Sequence, residues 1–271
     1  MDPKLFLDTQ ISIDVGKRLI DQRTWARVWR HVTTKFQYVI SPLTLCELLR
    51  GVASGTESYF NENREAIRVL VPPHKRKHLL DLPAGFVLKT VLNRRQRDPS
   101  LWAQDYETWV KVVLRARTKN ELEAGDVQLA HGSARTYGFD SHLHVAQLMQ
   151  GERVHLEQLQ ALRNGNLHVP SHLAWAAGIL NRQGLRPSDE DCRKVAASLE
   201  AAFHFDLSLY DRARNSNYNF EKHATDWIDG QQLYYLSDPQ MHFLTRDRRL
   251  QNWIKGSSQA NRVLDFNSFA P

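Results

Sequence analysis

Cysteine is scarce in this chain. Cys46 and Cys192 are the two thiols among 271 residues, and they lie far apart. They supply no thiolate metal motif and suit a reducing compartment. Long apolar runs are also missing. No stretch approaches the ~18 uninterrupted apolar residues of a membrane span, which argues against a membrane partner. The opening Met1-Asp2-Pro3-Lys4-Leu5 carries no apolar signal core, so the cytoplasm is the expected location. There is no Gly-rich phosphate loop and no Gly-x-Ser-x-Gly nucleophile elbow. Internal repeats and low-complexity tracts are absent as well.

What is present is an ordinary globular composition, 42% hydrophobic and 24% charged, long enough for one large domain or one domain with an insertion. The formal charge of +6 and pI near 9.4 are compatible with a polyanionic partner. The cations cluster. Lys17, Arg18, Arg23, Arg27 and Arg30 occupy the first helical region, and His74-Lys75-Arg76-Lys77-His78 is a short basic run. Arg94, Arg95 and Arg97 form another, and Arg246, Arg248 and Arg249 flank Asp247. Each cluster alone reads equally well as a solvated helix face.

Hydrophobic periodicity gives an α/β outline. Leu5 to Leu7 reads as a buried strand and Ile11 to Arg30 as a helix. Phe36 to Ile40 reads as a second strand. Ser41 is placed to cap a helix that has Pro42 in its first turn and runs toward Gly51. Ala66 to Val71 reads as a third strand, stopped by Pro72-Pro73. From Asp81 to Pro187 the pattern is mainly helical. Ser188 reads as an N-cap with Asp189, Glu190 and Asp191 behind it, opening a helix expected through Val195, Leu199 and Phe203 to Tyr210. Arg214 to Lys222 reads as a loop. A helix opening at Asp226 or Asp229 is expected to end near Ser237-Asp238-Pro239. Met241 to Thr245 reads as a strand, Arg249 to Lys255 as a short helix and Arg262 to Phe266 as a last strand. Strands separated by helices predict a three-layer α/β/α sandwich around a parallel sheet.

Four acids fall at informative places on this outline. Asp8 ends the run Lys4-Leu5-Phe6-Leu7, and Glu47 lies in the helix after the second strand. Asp229 sits at the start of a late helix, and Asp247 follows Phe243-Leu244-Thr245-Arg246. Carboxylates at strand ends and on neighbouring helices can converge in the crevice of a parallel sheet. Crowded carboxylates repel, so such a group commonly holds a divalent cation.

Four segments carry a resemblance to the PIN domain family of metal-dependent nucleases. They are Leu5-Phe6-Leu7-Asp8-Thr9, Ser41-Pro42-Leu43-Thr44-Leu45-Cys46-Glu47-Leu48-Leu49, Asp226-Trp227-Ile228-Asp229-Gly230-Gln231-Gln232-Leu233, and Phe243-Leu244-Thr245-Arg246-Asp247-Arg248-Arg249-Leu250. The order of acids and elements is the family's. The resemblance covers residues 1–80 and 186–271 as a PIN-like core and leaves 81–185 as a helical insertion or subdomain. It implies an endoribonuclease that hydrolyses phosphodiester bonds with Mg²⁺ or Mn²⁺, with a toxin or defence role and a protein inhibitor or antitoxin as partner. RNA is preferred over DNA as the nucleic-acid partner on that ground alone. Asp8 and Asp229 are then the first-choice ligands, and Glu47 and Asp247 hold a second ion or its waters. Asp226 is a fifth acid or simply a cap. Thr9 and Thr245 would donate hydroxyl hydrogen bonds that orient the acids, and Arg246 and Arg248 would meet phosphate.

Each acid also has a plain structural reading. Asp8, Asp226 and Asp229 suit N-caps or first helical turns. Glu47 suits a helix surface, and Asp247 suits a turn. A structure-specific DNA nuclease and a non-catalytic PIN-like binding module are the alternatives to a ribonuclease. A homodimer built on the insertion stays open. His142, His144, His168 and His172 invite zinc, but on a helix His142 and His144 point in different directions. Trp102, Tyr106 and Trp109 are at helical spacing and read as core rather than as base-stacking platforms.

Overall fold

In a computed structural model the described residues are 2–54, 56–72, 78–94, 102–124, 128–129, 132–133, 143–215, 218–220, 223 and 225–270. The strands and helices follow in chain order. They are β1 (Lys4–Leu7), α1 (Thr9–Gly16), α2 (Gln22–Lys35), β2 (Gln37–Tyr38), α3 (Pro42–Ser54) and α4 (Glu57–Leu70). After these come α5 (Pro83–Leu92), α6 (Trp102–Arg115), α7 (Lys119–Ala124), β3 (Gln128–Leu129), β4 (Gly132–Ser133) and α8 (Leu143–Arg163). The last are α9 (His172–Arg182), α10 (Asp189–Ser198), α11 (Glu200–Arg214), α12 (Asp226–Gln232), β5 (Met241–Thr245), α13 (Arg248–Trp253) and β6 (Val263–Asp265).

Among these residues β2, β1, β5 and β6 form, in that order, a four-stranded sheet that is parallel throughout. Alternation along the strands sends neighbouring side chains to opposite faces. Leu5, Leu7 and Leu244 enter one hydrophobic cluster, with Val28, Val32, Leu48, Ile67 and Val113 from the helices. Phe6, Phe243 and Val263 enter a second, with Phe86, Val195, Phe205 and Leu250. Phe6 stacks on Phe243 with ring centroids 4.6 Å apart. A parallel sheet is stable when both faces are covered, and these two clusters cover them. The architecture is α/β and is compatible with the expected three-layer arrangement.

The chain leaves β1 toward β2 on one side and leaves β5 toward β6 on the other. The carboxyl ends of β1 and β5 therefore flank a topological switch point, where open α/β sheets form their crevice.

Several sequence expectations are corrected. Residues 66–70 belong to α4, with Val71 as its C-cap, and not to a strand. Phe60, Asn63, Ala66, Ile67 and Leu70 are its buried positions, a helical period that a six-residue window is too short to reveal. The place beside β2 is taken instead by a single parallel bridge between Ile40 and Leu79. The first helix is two helices. Arg18 adopts φ 60° after α1, and Asp21 then caps α2 by accepting from the Arg23 and Thr24 amides. Gly16 ends α1, yet the left-handed turn falls two residues later, on Arg18. The helix from Ser188 is also broken, at Leu199. Gln259 fills the break, accepting from the Ala201 amide at 2.9 Å and donating to the Ser198 carbonyl. The Ser188 cap itself forms a reciprocal capping box with Asp191.

The expected insertion contributes to both clusters, through Trp109, Val110 and Val113 in one and Phe86, Val87 and Trp175 in the other. Trp109 is core, while Trp102 and Tyr106 have side chains outside the described set. Residues 74–77, Arg95, Arg97 and His142 also lie outside it, as does the side chain of His144. No helix among the described residues is long and apolar enough to cross a membrane.

Candidate active site

A cleft of about 920 Å³ opens at the carboxyl end of the sheet, and Asp8, Glu47, Asp229 and Asp247 all line it. Each arrives there for a local reason. The Asp8 amide donates to the Leu244 carbonyl at 2.9 Å, which extends the β1–β5 ladder by one residue. Its side chain then turns to cap α1, accepting from the Gln10 amide at 3.3 Å. Thr44 on α3 donates to the Leu7 carbonyl at 3.3 Å, so this helix starts over the end of β1. Glu47 follows three residues later on the same face. Asp247 caps α13 through the Arg249 and Leu250 amides. Asp229 sits in the first turn of α12 with Thr225, another cleft residue, one turn before it. Capping and lining the cleft are thus one placement for Asp8 and Asp247, not alternatives.

Hydroxyls fix two of the acids. Thr245, wholly buried, donates to Asp8 Oδ2, and Thr9 donates to Glu47 Oε2. Burial pushes the Asp8 carboxyl up, partly offset by the Thr245 hydrogen bond and reinforced by the Asp247 charge. Glu47 is pushed up to about 7, first by burial and then by the Asp8 charge, against the Thr9 bond. Asp229 is pushed well above the usual carboxylate range by burial, followed by the charges of Asp8, Glu47 and Asp226, with Arg249 opposing. Three carboxylates that raise one another's proton affinity are crowded enough to repel, which is the electrostatic condition for cation binding.

Arg249 was not singled out by its sequence context, yet it organises one wall. Its guanidinium lies 2.9 Å from Asp226, 3.5 Å from Asp229 and 3.4 Å from Asp247. Asp226 is the predicted acid that is not brought to the cleft. It is 2% exposed and is held by Arg249 and by the Tyr218 hydroxyl at 3.1 Å. Of the predicted phosphate contacts, Arg246 lines the cleft, where it is ion-paired with Asp14, whereas Arg248 is exposed outside it. Asp14 was also missed. It is a buried acid in the second turn of α1, and it accepts from Gln10 Nε2 at 2.6 Å as well as from Arg246. Its position six residues after Asp8 gave no sign that α1 would carry it back to the cleft.

The donor set is all oxygen, the chemistry that suits Mg²⁺ or Mn²⁺. No group of three or more His, Cys, Asp or Glu among the described residues stands in a constellation ready to hold an ion. The residues fit a hard cation by type and by charge, and side-chain rotation would have to complete the shell. His168 and His172 form no metal group either. His172 stacks on Phe203 at 4.1 Å, and His168 lines a different cavity.

No family model, no curated protein and no solved structure matches this chain.

Proposed function

We propose that this protein is a metal-dependent nuclease with a PIN-like core that cleaves RNA. The observation that carries the reading is the meeting of Asp8, Glu47 and Asp229 in one cleft at the switch point of a parallel sheet, with Asp229 perturbed by both other acids. Asp8 and Asp229 would hold the ion, with Glu47 and Asp247 as the further carboxylates. A bound Mg²⁺ or Mn²⁺ supplies Lewis-acid polarisation of the phosphodiester and a more acidic water. The chain's own contributions are positional. Thr245 holds Asp8 and Thr9 holds Glu47, so neither acid needs to be ordered when substrate arrives. Arg246 is placed to pair with a phosphate once Asp14 releases it. Lys17, Arg18, Arg23, Arg27 and Arg30 are exposed on the segment that includes Leu19, a residue of the cleft. They would follow the nucleic-acid backbone and make binding salt-sensitive. A toxin or defence role restrained by a protein inhibitor accompanies this reading.

One observation favours a second reading, a non-catalytic nucleic-acid-binding module. Arg249 already compensates Asp226, Asp229 and Asp247 without a metal. Incubating labelled RNA and DNA oligonucleotides with the protein and Mn²⁺ separates the two. Cleavage of RNA that EDTA stops, and that Asp8→Asn and Asp229→Asn both remove, supports the nuclease. Binding without cleavage supports the module, and cleavage of DNA flaps in preference to RNA reassigns the substrate.

A further inference from the structure

A second cavity, of about 560 Å³, lies among α8, α9, α11 and α12. It is distinct from the carboxylate cleft. Trp227 and Gln231 of α12 line it, while Asp229 of the same helix and its N-cap Thr225 line the cleft. Two residues along a helix turn the side chain by about 200°, so α12 is a wall with one cavity on each side.

The lining is part aromatic and part polar. Trp175, Tyr210, Trp227 and Tyr234 supply flat apolar surface. His155, Arg182 and Asp206 supply titratable polar groups, and Gln158, Gln183, Gln231 and His168 add further hydrogen-bonding groups. His155 is 7% exposed, and its Nε2 has no hydrogen-bond partner. Burial, and then the nearby Arg182 charge, lowers its pKa to about 4, so the ring is neutral and can donate or accept. An unpaired polar atom at such depth is unfavourable, and a complementary ligand would satisfy it. Asp206 accepts from Trp175 Nε1 at 2.8 Å, and its carboxyl, raised to about 6 by burial, is opposed by that bond and by Arg182. Arg182 and Asp206 thus place opposite charges on the lining of one cavity, and they offer hydrogen-bond donors and an acceptor.

We propose that this cavity binds an uncharged, planar nitrogen heterocycle of nucleoside size. The volume falls in the range of small-molecule sites, roughly 300–1,000 Å³. A base-like ring would stack against the tryptophans and tyrosines and present its edge to Asp206, Arg182 and His155. A phosphorylated nucleotide is disfavoured, because its charge would share the cavity with the Asp206 carboxyl. The proposal does not depend on the nuclease reading.

The test is calorimetric titration of the full chain with adenosine, guanosine, cytidine and uridine, alongside AMP and L-tryptophan. One nucleoside should bind one-to-one, more tightly than AMP or L-tryptophan. Gly178→Leu should weaken that binding by at least about tenfold. The Gly178 Cβ position meets only Arg182 Nη1, at 3.8 Å, so a larger side chain can enter the cavity from a helix that the substitution favours. Asp206→Asn should also weaken it and change which nucleoside binds best, with circular dichroism checking that both variants fold. Asp8→Asn should leave the binding intact. Absence of binding by every nucleoside at millimolar concentration would overturn the proposal, as would preference for AMP or L-tryptophan. Binding that survives both cavity variants or disappears in Asp8→Asn would overturn it too, the last by placing the ligand in the carboxylate cleft.

Discussion

Glu47→Gln should make the metal-free protein more stable at alkaline pH, although it removes a residue proposed to be essential. The folded protein raises the Glu47 carboxyl from 4.5 to about 7, so the native state holds this proton more tightly than the unfolded chain does. Stability is therefore fully present below pH 4.5, declines as pH rises toward 7, and stays reduced above it. At ~1.4 kcal/mol per tenfold change in proton affinity, the full cost to the ionised form is roughly 3 kcal/mol. Partial exposure of the side chain trims that figure. Glutamine keeps a carbonyl to accept from Thr9 and removes the charge. With EDTA present at pH 8, urea unfolding should show the variant more stable by roughly 1–3 kcal/mol. In thermal melts, that corresponds to roughly 2–4 °C for each kcal/mol. Near pH 4 the two proteins should coincide. A variant that is less stable than the parent at both pH values would refute the crowding argument, because it would make Glu47 a structural partner rather than a repelled acid.

The remaining predictions test other parts of the cleft. Thr245→Val removes the donor to Asp8 and should lower Mn²⁺ affinity or cleavage by roughly 10–100-fold, read by titration and by single-turnover cleavage. Arg249→Met leaves Asp226 buried without its cation and should destabilise the protein by roughly 3 kcal/mol in urea. Combining it with Asp226→Asn should recover much of that loss, and a double-mutant cycle that shows no coupling would contradict the bridge. Asp226→Asn alone should retain Mn²⁺-dependent cleavage while Asp229→Asn, three residues on, abolishes it in the same oligonucleotide assay.

Much of the sheet was legible because its signals are local. Met241–Thr245 is a short run with Met241, Phe243 and Leu244 as its apolar positions, just after Pro239, and it was read to the residue. Ser188 and Asp191 announce their capping box within four residues. The order of the four acids along these elements was equally legible, because helix and strand periods place them at strand ends and on helix faces. What escaped depended on partners distant in sequence. The break at Leu199 is held by Gln259, some sixty positions away, and nothing near Leu199 signals it. Arg249 looked like one cation in a basic run, and only the return of α12 toward α13 gives it Asp226 and Asp229 as partners. The sequence favoured Asp229 as a ligand and left Asp226 open as a fifth acid or a cap. They differ because three helical positions, about 300°, turn one toward Arg249 and Tyr218 and the other into the cleft.

The most direct test is anomalous scattering from crystals of the wild-type protein soaked in Mn²⁺. A peak within coordination distance of Asp8 and Asp229, accompanied by withdrawal of the Arg249 guanidinium from Asp229, is the expected result. A cleft without a peak at saturating Mn²⁺, with Arg249 still spanning Asp226, Asp229 and Asp247, would contradict it.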